Sequence, residues 1–367
     1  MKINKLFIVT LILLSIISFY NCSKNDAEET YIPVSEIPNE PYVIDSGIFP
    51  TPDIPSDNLL TREGVKLGRM LFYEKMMSKN TTQACASCHD QKTAFSDTRR
   101  FSIGINNLPG TRHSMAIFNM AWNTNEFFWD GRAHLLRDQA LLPIQDSNEM
   151  DETLVNVTSK LQTSSIYPKQ FQKAFGTNTI TPLLISKALE QFMNSIVSNQ
   201  SKYDKFLAGT ATLTPVEERG RFLFFTEYNP FFPDASGADC AHCHGGDNFE
   251  NDKYMNNGLD VDADFIDMGR EQVTGKTIDK AKFKVPSLRN VALTAPYMHN
   301  GRFNTLEDVI NHYDKVKNST TLDASFAQQV PNGGLQLTLA DKAALVAYLK
   351  TLTDNVLTTD PKYSSPF

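Results

Sequence analysis

The chain has 367 residues, with 35 Lys and Arg against 42 Asp and Glu, so its formal net charge is −7. This acidic balance argues against a general nucleic-acid-binding surface, because such a surface needs clustered positive charge to displace the counterions of phosphates. A chain of this length is expected to contain two domains.

The amino terminus has the layout of a secretory signal, because Lys2 and Lys5 precede a short apolar stretch that ends just before Cys22. We therefore predict a signal peptide over residues 1–21 and an exported, periplasmic protein. The cysteine at this boundary predicts a lipoprotein-type acyl anchor at Cys22. The small residues that usually precede such a cysteine are missing, and ordinary cleavage nearby, which would leave a lone thiol, is the alternative.

The segment that follows is rich in proline. Residues 22–57 are predicted to form an extended tether with little helix. No later stretch approaches the roughly 20 consecutive apolar residues that a membrane-spanning helix needs. The acyl anchor would therefore be the only contact with a membrane.

One sequence pattern occurs twice in the chain. Gly-Arg-Met-Leu-Phe at residues 68–72 precedes a Cys-x-x-Cys-His motif at residues 85–89. Gly-Arg-Phe-Leu-Phe at residues 220–224 precedes a second such motif at residues 240–244. We predict one structural module that is used twice.

The periodicity of the chain is helical. In each copy of the module a threonine, Thr61 or Thr214, is expected to cap a short helix that carries the Leu-Phe pair into a core. Residues 182–198 and 338–351 also place apolar side chains at helical spacing. Strand-like alternation is scarce, so the predicted fold class is mainly α, with long loops.

The two Cys-x-x-Cys-His motifs suit covalent haem attachment, because both thiols can add to the porphyrin vinyl groups while the adjacent imidazole reaches the iron. The alternatives fit less well. The halves of a zinc site usually lie within about 20 residues of each other, whereas these motifs are more than 150 residues apart. Thioredoxin-like redox chemistry needs a βαβ setting that this chain lacks. The predicted attachment residues are Cys85, Cys88, Cys240 and Cys243, with His89 and His244 as the proximal iron ligands.

Two c-type haems divide the predicted fold. We expect two cytochrome c-like haem domains with long ordered loops, one over residues 58–205 and one over residues 206–367.

Further motifs accompany the haem motifs. Phe-Phe-Trp-Asp-Gly-Arg-Ala at residues 127–133 lies between them, and Lys-Val-Pro-Ser-Leu-Arg-Asn at residues 284–290 and Thr-Ala-Pro-Tyr-Met-His-Asn-Gly at residues 294–301 follow the second. With these motifs in this order, the chain strongly resembles the bacterial diheme cytochrome c peroxidases, including the diheme enzyme that matures methylamine dehydrogenase. The resemblance covers about residues 58–355.

The resemblance implies roles for individual residues. His89 would hold the peroxidatic haem and His244 the electron-transfer haem. Trp129 matches the family tryptophan that lies between the haems, with core packing as the alternative role. Glu149 matches the distal acid that moves a proton during peroxide cleavage, and Gln139 the distal amide. The alternative for Glu149 is a surface cap or ion pair.

Three departures from the family pattern carry information. Ile105 stands where family members that need reductive activation have a distal histidine, so we expect the His89 haem to react without prior reduction. His113 replaces an asparagine that helps to hold an interdomain calcium ion, whose other protein ligands would be the carbonyls of Thr294 and Pro296. Imidazole is a poor partner for Ca²⁺, and calcium is therefore left open.

The third departure is the distal ligand of the second haem. The family's methionine or tyrosine position falls on Tyr313, with Met298 and His312 as rivals. Phenolate favours ferric iron, whereas a thioether raises the potential. A helix aromatic that only packs is the alternative role for Tyr313.

Together these features predict an exported diheme peroxidase that reduces hydrogen peroxide to water. Electrons from a small cytochrome c or a cupredoxin would enter at the C-terminal haem and pass through Trp129 to the N-terminal haem. The alternatives are a diheme oxidase that modifies a protein or small molecule by long-range electron transfer, and a non-catalytic electron carrier. A homodimer is compatible with each of these functions.

Overall fold

Helices dominate the computed structural model, which describes residues 39–232 and 235–367. The predicted signal peptide and the predicted anchor at Cys22 lie outside the described residues. The ten α-helices of the described part are α1 Arg62–Tyr73, α2 Leu136–Gln145, α3 Leu154–Gln162, α4 Tyr167–Phe175, α5 Pro182–Ser195, α6 Lys202–Leu207, α7 Pro215–Phe225, α8 Glu271–Thr274, α9 Leu306–Asp314 and α10 Leu339–Thr351.

Strands are short in the described part of the chain. One antiparallel pair, β1 Tyr254–Met255 and β2 Phe283–Lys284, is joined with Tyr254 opposite Lys284. The mainly α prediction is therefore confirmed. No helix within the described ranges has the length and apolar character needed to cross a membrane.

The first module is a pair of crossed helices, α1 and α5. Thr61 caps α1 by accepting a hydrogen bond from Gly64 N at 3.1 Å, as the sequence predicts. Gly68 lies at the crossing, where an added Cβ would stand 1.9 Å from Ala188 O. Only glycine allows the two helix backbones to approach this closely.

The second module repeats this arrangement with α7 and α10. Thr214 and Glu217 form a reciprocal capping box at the start of α7. An added Cβ on Gly220 would stand 1.9 Å from Ala344 O, as in the first crossing. The repeat in the sequence is therefore also a repeat in the structure.

Two hydrophobic clusters surround the two crossings. The first extends from Leu60 to Ile196 and includes Leu357 and Tyr363 from the end of the chain. The second lies between Tyr203 and Leu352. The last residues of the chain therefore pack back on the first module.

The described part of the predicted tether, residues 39–57, contains no helix. It nevertheless packs on both modules. Phe49 stacks on Trp122 with 4.7 Å between ring centroids and lies beneath the Arg289 guanidinium. Asp57 binds Arg137 in two hydrogen bonds of 2.6 and 2.8 Å.

Candidate functional site

A cavity of about 660 Å³, called the central cavity below, is lined by residues of both helix crossings. Both Cys-x-x-Cys-His motifs open into it, together with most of the residues that the sequence singles out. The lining includes Cys85, Cys88, His89, Trp129, Gln139, Glu149, Cys240, Cys243, His244, Thr294, Pro296, Met298 and Tyr313. Residues that are distant in the sequence thus line one cavity.

The two motif histidines are held in the same way. His89 Nδ1 lies 2.9 Å from Phe95 O, and His244 Nδ1 lies 3.2 Å from Phe249 O. A carbonyl only accepts, so Nδ1 carries the proton in each ring, and Nε2 carries the lone pair that can bind a metal. At His89, Ser114 Oγ lies 3.3 Å from this nitrogen. Phe95 and Phe249 both have left-handed backbones, with φ of 59° and 55°, which turns their carbonyls back toward the histidines.

The four motif cysteines form no disulfide within the described structure. Burial raises the pKa of Cys85, Cys240 and Cys243 to about 12. Zinc binds thiolate, and no cluster of three or more His, Cys, Asp or Glu suited to a metal occurs in the described part of the chain. In each motif, two cysteines and the adjacent histidine line the same large cavity, an arrangement that fits covalently bound haem.

Glu149 and Gln139 lie in the same cavity as His89. Gln139 is on α2, whose Leu136, Ala140 and Pro143 also face the cavity, the spacing of one helix face. Glu149 follows in the next turn. Burial raises the pKa of Glu149 to about 7, the nearby Asp146 adds to the effect, and Arg132 opposes it.

The loop that carries Ile105 packs against Glu149. Ile105 N donates to Glu149 O at 2.9 Å, and Gly104 approaches so closely that an added Cβ would stand 2.0 Å from Asn148 O. The Ile105 side chain does not line the cavity, whereas Gly104 does. The structure therefore brings the position of the missing histidine next to the predicted distal acid.

Trp129 contacts corresponding positions of the two modules. Its Nε1 donates to His113 O at 2.8 Å, and its carbonyl accepts from Lys284 N at 2.7 Å. His113 and Lys284 each lie six residues before an asparagine with a left-handed backbone, Asn119 and Asn290. Trp129 is thus hydrogen-bonded to both modules where they meet.

His113 is buried and already bonded. Its Nε2 lies 2.9 Å from Asp97 O, and its backbone N donates to His299 O at 2.7 Å. Its imidazole therefore has a partner other than a calcium ion. Thr294 and Pro296 line the cavity, and a calcium ion at their carbonyls stays a prediction.

The two main candidates for the distal ligand of the second haem iron, Tyr313 and Met298, both contact Asn257. Asn257 Nδ2 donates to Tyr313 Oη at 3.1 Å and lies 3.4 Å from Met298 Sδ. Burial raises the pKa of Tyr313 to about 12, although the Asn257 amide opposes the shift. His312 lies outside the cavity lining, and its Nε2 is 3.1 Å from Asn257 O.

Glu250 is a cavity residue that the motifs do not reveal. Burial raises its pKa to about 7, and Asn248 Nδ2 donates to its Oε1 at 2.5 Å. It directly follows Phe249, as Ser96 follows Phe95 in the first module. Alignment of the two modules beyond their histidines is the signal that finds it.

Comparisons with known proteins agree on one family. A family model described as di-haem cytochrome c peroxidase matches residues 62–212. The methylamine utilization protein MauG of Methylophilus methylotrophus is 30% identical over 312 residues, which cover 84% of this chain and 89% of the relative. The cytochrome c551 peroxidase of Nitrosomonas europaea is 31% identical over 290 residues, covering 78% and 79%.

A solved structure agrees with these relatives. The crystal structure of a MauG-like protein associated with microbial copper homeostasis matches with a TM-score of 0.78 at 33% identity, covering 87% of this chain and 97% of that one. The diheme peroxidase BthA of Burkholderia thailandensis, with a TM-score of 0.69 at 22% identity, shares the fold.

Proposed function

This chain belongs to the di-haem cytochrome c peroxidase family, and on that premise we propose that it reduces hydrogen peroxide to water with electrons from a small redox protein. Its relatives make it a peroxidase-type oxidoreductase, and its family implies two c-type haems. The proposed domains are residues 58–205 around the peroxidatic haem and residues 206–367 around the electron-transfer haem.

The residues that would hold the haems are those of the two motifs. Cys85 and Cys88 would attach the first and Cys240 and Cys243 the second, with His89 and His244 donating Nε2 to iron. When bound, the haems supply iron that accepts peroxide and stores electrons.

Glu149 carries the proposal. The overall reaction takes one hydrogen peroxide, two protons and two electrons to two waters, so a proton must move between the two peroxide oxygens. An ionised Glu149 takes a proton from one oxygen and returns it to the oxygen that leaves as water. A carboxyl with a pKa of about 7 suits both steps, because it exchanges its proton readily near neutral pH. Gln139 would orient the peroxide by hydrogen bonding.

Trp129 would connect the two haem sites. Its hydrogen bonds to His113 and Lys284 support a route from the His244 haem to the His89 haem through its ring. The position of Ile105 supports reaction at the His89 site without prior reduction.

Peroxide turnover with a reduced small cytochrome c tests the function. The as-isolated holoprotein should consume two electrons per peroxide without pre-reduction. A variant with both cysteines of the second motif replaced by serine should lose this turnover while its remaining haem still reacts with peroxide. A cupredoxin serves as the rival donor. If neither the cytochrome c nor the cupredoxin supports turnover, the proposal is contradicted.

A second candidate function is oxidation of a protein or small molecule by long-range electron transfer. Tyr313 favours it, because an anionic phenolate would lower the potential of the second haem and stabilise an oxidised state. If Tyr313 is the ligand and donor turnover stays slow while added phenols or proteins are oxidised, this function replaces peroxide removal. Methionine ligation through Met298 would favour the peroxidase.

Location, calcium and oligomeric state complete the proposal. Export to the periplasm with acylation at Cys22 is tested by membrane fractionation of the wild type and Cys22→Ala. A calcium ion at the carbonyls of Thr294 and Pro296 is tested by metal analysis after dialysis against a chelator. A homodimer is tested by light scattering during gel filtration.

A further inference from the structure

The loop that carries Trp129 is held by two arginines, one from each side of it in the sequence. This Trp129 loop, residues 127–133, is closed by a hydrogen bond of 2.8 Å from Phe127 N to Ala133 O. Trp129 stands near its tip and lines the central cavity. The closing bond alone would leave the tip of the loop free to tilt. The orientation of the tip therefore depends on the side chains that bind it.

Arg112, which precedes the loop in the sequence, binds it through Asp130. Its Nη1 donates to Asp130 Oδ2 at 2.6 Å, next to Trp129 in the sequence. Its Nε and Nη2 donate to the two carboxylate oxygens of Asp267 at 2.7 and 2.8 Å. Arg112 has 13% of its side chain exposed and Asp130 only 5%. One guanidinium thus ties the loop to a residue far along the chain.

Arg270, which follows the loop in the sequence, binds it through backbone carbonyls. Its Nη1 donates to the carbonyls of Asp130 and Gly131, each at 3.0 Å. Its Nη2 donates to Glu126 Oε1 at 3.0 Å, and its guanidinium lies 4.1 Å from the ring centroid of Tyr254. These three side-chain hydrogen bonds all go to the Trp129 loop or to the residue just before it.

The loop is shaped to admit Arg270. Gly131 has a φ of +71°, and an added Cβ would stand 2.1 Å from Arg270 Nη1 and 2.0 Å from Tyr254 Oη. Glycine is therefore required both by the backbone conformation and by the approach of the arginine.

The physical effect of the two arginines is a fixed orientation. Charge-assisted bonds from a planar guanidinium are short and directional. They resist tilting more than a single hydrogen bond does, and partial burial reduces their screening by salt. Both arginines bind the residues that follow Trp129, so a displacement of the loop tip stretches the bonds to Arg112, to Arg270 or to both. The indole bond to His113 O and the backbone bond from Lys284 N are preserved only while the tip stays in place.

We propose that Arg112 and Arg270 are positioning residues that hold Trp129 in the geometry required for electron transfer between the two haem sites. This inference rests on the proposed role of Trp129. A merely structural pair of ion bridges would affect the stability of the protein and leave the rate of electron transfer between the haems unchanged.

The test measures that rate directly in the holoprotein. A reducing pulse that delivers less than one electron per molecule is followed by the redistribution of the electron between the two haem spectra, without peroxide. Arg112→Gln and Arg270→Gln should each slow this redistribution by about tenfold, the scale expected for a displacement below 1 Å. Their resting haem spectra should match the wild type.

Two further variants separate positioning from stability. Arg270→Lys keeps the charge and lacks the fork that reaches two carbonyls and a carboxylate, so it should recover stability while electron transfer remains slow. Arg219→Gln removes a more exposed arginine bridge, to Asp341 at 2.8 Å; neither residue lines the cavity that holds Trp129, so this variant should keep the wild-type rate. If a glutamine variant fails to fold with haem, Arg112→Lys and Arg270→Lys carry the test.

Trp129→Phe distinguishes failure of this inference from failure of the proposed route. If Trp129→Phe is slow and the folded arginine variants transfer electrons at the wild-type rate, the positioning role is refuted and the route stands. If Trp129→Phe has the wild-type rate, the route is refuted and the positioning role with it. Slow arginine variants together with slow Trp129→Phe and a normal Arg219→Gln support the inference.

Discussion

Glu149→Gln removes the one cavity carboxyl that the proposed reaction uses and keeps the shape of the side chain. General acid–base groups contribute about 10² to 10⁴ in rate, equivalent to about 3 to 5 kcal/mol of transition-state stabilisation. We expect kcat/KM for peroxide to fall by that factor, while both haems stay attached. The Glu149→Gln variant should be no less stable than the wild type above pH 7. A carboxyl whose pKa is raised in the folded state opposes folding once it ionises, and the variant lacks this carboxyl.

The pH dependence of kcat/KM for peroxide gives a more specific prediction. The pKa of Glu149 is raised to about 7, so the ionised fraction is about half at pH 7 and about one tenth at pH 6. Because the ionised form takes the first proton, kcat/KM should fall about tenfold per pH unit below this pKa. The profile should lose this inflection in Glu149→Gln.

Asp146→Asn provides a matched control. Asp146 is exposed, and its charge helps to raise the pKa of Glu149. Removing that charge should move the inflection to lower pH and leave the plateau rate unchanged.

The assay is stopped-flow mixing of the ferric holoprotein with peroxide from pH 5 to pH 8.5. The reasoning is refuted if Glu149→Gln retains the inflection with a loss below about threefold, a change too small for a general acid–base group. The proton would then travel through Gln139 or water.

Three further predictions address the haems and the helix crossings. Replacing both cysteines of one motif by serine should leave one covalently bound haem, counted as the pyridine haemochrome; two remaining haems would contradict the assignment. Tyr313→Phe should change the spectrum and potential of the second haem while Met298→Leu leaves both unchanged, and the reverse result would make the methionine the ligand. Gly68→Ala and Gly220→Ala should each lower the free energy of unfolding by about 1 to 3 kcal/mol. Gly110→Ala, whose Cβ would meet nothing closer than 3.8 Å, should have no such effect in thermal melts.

Local features were predictable because neighbouring residues decide them. The helix expected over 182–198 is present as α5, Pro182–Ser195, and the helix expected over 338–351 as α10, Leu339–Thr351. The threonine caps of α1 and α7 were also correct. Each depends on side chains within one or two turns, which a single sequence displays.

The family motifs went further than local structure, because their spacing reports a shared fold. They point to His89, Trp129, Glu149 and His244, all of which line the cavity. They did not identify Arg112 or Arg270, whose partners lie on distant segments, or Glu250, whose burial depends on the tertiary fold.

By itself, then, the sequence determined the helical class, the two-module plan and the covalent haem motifs, since each is encoded in short runs of residues. Only the tertiary structure decided the pKa of Glu149, the contacts of Asn257 with Tyr313 and Met298, and the bonds of the two arginines to the Trp129 loop. The physical reason is that desolvation and hydrogen bonding depend on which distant segments come together. Glu149 has a raised pKa because the folded chain excludes water around it, and no pattern of its sequence neighbours specifies that environment.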